Sequence, residues 1–88
     1  MNKTISDNEL AAFYREEAAI YASCALTNAQ TWRERREELL DAIDRPVHRK
    51  AEVAQLAISC HWLENEARFE IRHAQLLLKQ ARRLERSK

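Results

Sequence analysis

Between Val53 and Leu84, ten positions follow one another at alternating spacings of three and four: Val53, Leu56, Cys60, Leu63, Ala67, Glu70, Ala74, Leu77, Ala81 and Leu84. Nine of the ten are apolar, and Glu70 is the exception. A repeat of this kind sustained over more than four heptads defines a helix whose seam buries against a neighbouring helix with coiled-coil-like packing. A second apolar stripe, Ile58, Trp62, Phe69 and Leu76, lies on a different side of the same helix. One partner helix cannot cover both faces, so the pattern asks for at least two neighbours.

The rest of the chain supplies one of them. Glycine is absent, the only proline is Pro46, and about a third of the residues are charged (33%). That is the composition of long helices, because strands would need turn residues that are missing. Ser6 followed by Glu9 forms a capping box that starts a first helix near Asp7. The next punctuation is Asp44-Arg45-Pro46, where aspartate can cap and proline is tolerated in a first helical turn. The expected fold is therefore all-α, a single domain over residues 1–88, with a helix over about 7–43, a turn at 44–46 and a helix over about 46–86. At 1.5 Å per residue each helix is on the order of 55–60 Å long. So short a turn makes the pair an antiparallel hairpin, in which residues whose numbers add to about 89 are level. The polar stretch Thr27–Glu38 is the weak point, and a break near Thr27–Gln30 would give three helices instead. Eighty-eight residues bury little of their own surface. Dimerisation of the hairpin into a four-helix bundle would supply the missing cover.

The first helix has a shorter seam of large residues, Leu10, Phe13, Glu17, Ile20 and Cys24, flanked by Tyr14 and Tyr21. Glu17 has Phe13, Tyr14, Ile20 and Tyr21 as its neighbours three and four residues away, where a carboxylate is costly without compensation. With level residues adding to about 89, Glu17 stands opposite Glu70 and His73. Glu70 and His73 make an E-x-x-H pair one turn apart, a spacing at which carboxylate and imidazole can bind the same cation. The segment Glu70-Ile-Arg-His73-Ala74-Gln-Leu-Leu77-Leu-Lys79 resembles the E-x-x-H-A-x-x-L helix of ferritin-like proteins over about ten residues. The resemblance implies a site for iron or manganese, with Glu17, Glu70 and His73 as ligands, assembled when two half-bundles dimerise. The chain departs from the full family pattern in having two helices and no second E-x-x-H. The same residues also read as a structural polar cluster, with Arg15, Arg68 or Arg72 neutralising the two glutamates and fixing register or partner choice.

Other chemistries are poorly served. Without glycine there is no nucleophile elbow and no phosphate-cradling loop. His48 and His61 have no second ligand at convincing spacing, and Cys24 and Cys60 fall on apolar helical faces where a thiol acts as a small buried hydrophobe. The net charge is +1, and the basic end, Lys79, Arg82, Arg83, Arg86 and Lys88, suits a helix C-terminus. Nucleic-acid binding is not expected from a basic patch lacking aromatic interleaving. The run from Trp32 to Glu38 mixes both signs and reads as a solvated face. No apolar run is long enough to span a membrane and the N-terminus lacks a signal-type segment, so the expectation is a cytoplasmic protein. The leading expectation is a small non-enzymatic interaction module, an adaptor, chaperone-like subunit or inhibitor of a larger assembly. It would use no cofactor and would pair with itself, another protein or both, with Ile58, Trp62, Phe69 and Leu76 making the contact. The alternative is the ferritin-like half-bundle with iron or manganese.

Overall fold

The computed structural model describes residues 4–45, 47 and 49–86. Helix α1 spans Asp7–Asp44 and helix α2 spans Lys50–Arg86, and the two pack against each other as a hairpin. Ser6 caps α1 from an extended backbone (φ −71°, ψ 160°), its Oγ accepting the Glu9 amide at 3.2 Å. The Glu9 carboxylate returns to the serine hydroxyl, which donates to it at 3.2 Å. The box thus closes through the hydroxyl, where the sequence pattern suggested the serine amide.

Helix α1 does not break at its polar stretch. Thr27 Oγ1 donates to the Ser23 carbonyl at 3.2 Å and Thr31 Oγ1 to the Thr27 carbonyl at 3.1 Å. Both hydroxyls are thereby satisfied within the helix instead of competing with it. The helix stops at Asp44, and Arg45 is extended (φ −66°, ψ 142°), the conformation that a following proline imposes on its neighbour. Arg45 also ties the two helices together, reaching Asp41 at 3.1 Å and Glu52 at 3.8 Å. The expected place of Pro46 in the first turn of the second helix lies outside the described residues; α2 begins at Lys50.

That later start moves the register. The helix ends Asp44 and Lys50 carry numbers that add to 94, and so do Tyr21 and His73, whose rings meet across the hairpin with centroids 4.4 Å apart. Level residues therefore add to about 94 and not 89, an offset of about 7 Å along the axis. Asn28 with Glu70 and Arg15 with Glu85, whose numbers add to 98 and 100, are joined obliquely, the glutamate and arginine side chains leaning along the axis.

The seam of α2 is buried as its heptad requires. Cys60, Leu63, Ala67, Glu70, Ala74 and Ala81 are buried, and Val53, Leu56, Leu77 and Leu84 are half-buried. The seam of α1 is not the one its large residues mark. Ala11, Ala18, Ala25 and Ala42 are buried, with Tyr14, Tyr21, Asn28, Trp32 and Leu39 half-buried in the same three-four rhythm. Phe13 and Ile20 stand out at 53% and 57% exposure, and Cys24 is exposed rather than buried. The reason is size. Ala11, Ala18 and Ala25 come about level with Leu84, Leu77 and Glu70, and Ala74 and Ala81 with Tyr21 and Tyr14, so each layer sets a small residue on one helix against a larger one on the other.

Replacing Ala18 by leucine is expected to destabilise the hairpin by about 1–3 kcal/mol through overpacking. The same change at exposed Ala19 should cost little. Thermal unfolding of the two variants tests the phase of α1, since equal melting temperatures would contradict the alanine seam.

Candidate functional site

The register expected from the sequence places Glu17 opposite Glu70 and His73, and the observed register separates them. Glu70 is buried at 7% exposure, and its Oε1 accepts a hydrogen bond from the Asn28 side-chain amide across the hairpin. Among the described residues no buried side-chain nitrogen or oxygen lacks a partner, so this bond accommodates the acid in the seam. Asn28 does not stand out in the sequence, because it lies in the seam only when α1 is phased on its alanines. Of the arginines expected as counter-ions, Arg15 pairs with Glu85 and Arg68 with Glu64 at 2.7 Å.

His73 is half-buried between two rings, edge-on to Tyr21 of α1 and stacked on Phe69 of its own helix with centroids 5.8 Å apart. Glu17, half-buried one turn before Tyr21, belongs to neither neighbourhood. Among the described residues no three or more His, Cys, Asp or Glu side chains are grouped so that they could hold a metal ion. The described residues of a single hairpin therefore do not assemble a carboxylate-bridged metal site. His61 is exposed, 3.2 Å from Asn65, and His48 lies outside the described residues.

The conspicuous feature is on the surface. The Tyr21–His73–Phe69 row shows that the outer residues of α2 share one side of the hairpin with the seam edge of α1. That side carries Phe13 and Ile20 from α1 and Trp62, Phe69 and Leu76 from α2, each between 53% and 59% exposed. Ile58, one turn before Trp62 at the outer edge, is 69% exposed. The stripe expected from α2 is thus joined by the large residues of α1 that the seam leaves out. Towards the turn lies a polar cleft of about 440 Å³ whose charges are satisfied among themselves: Arg35 with Glu38 at 3.0 Å, and Arg45 with Asp41 and Glu52. The molecule is a flat ply, 67 × 26 × 13 Å, one helix thick. No helix among the described residues is long and apolar enough to cross a membrane. No family model, no curated protein and no solved structure matches the chain.

Asn28→Ala should leave the Glu70 carboxylate buried without its donor and cost about 1–3 kcal/mol. Replacing both Asn28 and Glu70 by leucine removes the polar pair together and should be neutral or stabilising. Chemical denaturation of Asn28→Ala, of Asn28→Leu, of Glu70→Leu and of the leucine double variant checks both signs. Additive losses would mean that the two side chains are not coupled.

Proposed function

We propose that this chain is a non-enzymatic interaction module, an adaptor, chaperone-like subunit or inhibitor within a larger assembly, working through the apolar face that carries Phe13, Ile20, Trp62, Phe69 and Leu76. The observation behind this reading is that face: five large apolar side chains, two of them aromatic on α2, more than half exposed on one side of a ply that has no thickness to hide them. A cluster of this size on a protein surface marks a contact site, and large aromatics provide most of the binding energy in such sites. The rings are also partly held in place beforehand. Phe69 is stacked on His73, which is braced by Tyr21, so little side-chain freedom is lost when a partner arrives.

Catalysis has little support in the architecture. The arginines of the polar cleft near the turn are each paired with acids of the same cleft, and the buried glutamate accepts a hydrogen bond from an amide. The residues expected to make contact, Ile58, Trp62, Phe69 and Leu76, keep that role in this reading, with Phe13 and Ile20 added.

Trp62→Ala combined with Phe69→Ala should leave the helical content unchanged, because neither side chain belongs to the seam, and should abolish complexes captured by chemical cross-linking of the chain in its native extract. An unaltered set of complexes with the double variant would overturn the reading.

A further inference from the structure

The opposite side of the ply holds a different surface. Along α1, Ala12, Arg15, Ala19, Ala22, Leu26 and Ala29 recur at spacings of three and four, a second heptad seam made largely of alanine. Across from it on α2 stand Ile71, 47% exposed, and half-buried Leu78. Between the helices on this side run two adjoining hollows of about 390 and 200 Å³, which share Ala29 and Ile71. We propose that a second copy of this chain fills this groove. A two-fold axis parallel to the long axis of the hairpin would place Ile71 and Leu78 of each copy against Ala22 and Ala19 of the other.

Three observations lead to that occupant. The first is area. A compact monomer of 10.4 kDa exposes about 5,400 Å², and this chain exposes 7253 Å², a surplus of about 1,900 Å². One face of the 67 × 26 Å outline amounts to about 1,700 Å², so covering a single face restores an ordinary surface and gives a two-sided interface of obligate size. The second is shape. Along the groove α1 offers mainly alanine, with Leu26 the exception, and α2 offers Ile71 and Leu78, so the groove complements itself when α2 of one copy lies over α1 of the other, as an isologous contact requires. The observed register puts Ile71 level with Ala22 and Ser23, and Leu78 near the level of Arg15 to Ala19. The third is charge. The acids flanking the groove, Glu64 and Glu85, come from α2 and are bound within the hairpin by Arg68 and Arg15, while α1 contributes Arg33 and Arg36 as well. Stacking α1 on α2 sets acids beside arginines, while stacking α1 on α1 sets arginine against arginine.

In this arrangement two hairpins lie back to back and form a four-helix bundle, with one aromatic face turned outward on each side. The groove and the aromatic face are separate surfaces, so this inference and the proposed function can fail independently.

The test is single-cysteine cross-linking in a Cys24→Ser background, with Cys60 left in place because it is buried. Ala22→Cys and Ile71→Cys chains, mixed and oxidised, should give the mixed disulfide dimer in preference to either self-linked dimer. Light scattering of the untagged wild-type chain should give the mass of two copies, and Ala22→Glu should weaken that dimer at least about tenfold by placing an unpaired carboxylate in the groove. Ala22 is exposed in the hairpin, so this substitution disturbs no packing within the chain. Self-linked Ala22→Cys or Ile71→Cys dimers in place of the mixed one would overturn the proposed axis. A monomer that still engages another protein through Trp62 and Phe69 would overturn the inference and leave the proposed function standing. A dimer indifferent to Ala22→Glu but lost with Trp62→Ala and Phe69→Ala would move the second copy to the aromatic face and overturn the inference.

Discussion

Two helices of 38 and 37 residues are held together here mainly by alanine. Ala11, Ala18 and Ala25 on α1 and Ala67, Ala74 and Ala81 on α2 alternate along the seam with larger residues of the facing helix, such as Leu77 opposite Ala18 and Tyr21 opposite Ala74. Among the described residues seven of the buried ones are alanine and Leu63 is the only buried leucine, the larger seam residues being half-buried. Phenylalanine, tryptophan and isoleucine are consequently turned outward on both sides of the contact. The flatness of the molecule, its excess surface and its two apolar faces all follow from this choice of side chains. Ordering the backbone costs about 1–2 kcal/mol per residue, and a core of alanines with Cys60 and Leu63 offsets little of it. On the proposed reading, covering the apolar faces supplies further stability to the hairpin.

How legible this is in the sequence depends on the size of the residues concerned. The seam of α2 can be read directly because leucines mark it, and the one polar interruption, Glu70, is buried where the heptad places it. The two-helix architecture follows from the missing glycines, the Ser6 cap and the punctuation before Pro46. The phase of α1 is misleading because Leu10, Phe13 and Ile20 are the more hydrophobic residues, whereas proximity selects the alanines nearby. Burial there follows the space between the helices and not the hydrophobicity of the side chain.

The candidate site departs from its sequence pattern for a related reason. Starting α2 at Lys50 instead of Pro46 slides the helices past each other by about 7 Å, enough to remove Glu17 from the level of Glu70. Asn28 takes the place that arginine was expected to fill, and a neutral amide is a milder partner for a buried carboxylate than an ion pair that must also be desolvated. A polar contact inside a largely apolar seam also favours one register, because most slips would bury Glu70 against an alanine or leucine that cannot donate to it. The E-x-x-H spacing of Glu70 and His73 is thus accounted for within one chain by two separate tasks: Glu70 sets register, and His73 braces the aromatic row.

If the fold is completed by assembly, as proposed, folding and association are one transition. Thermal unfolding followed by helical circular dichroism over a hundredfold range of protein concentration tests this most directly. The melting temperature is expected to rise steadily with concentration, as mass action requires when association stabilises the folded chain. A single cooperative melt at the same temperature throughout that range would show that the isolated hairpin is stable on its own, and would contradict completion by assembly.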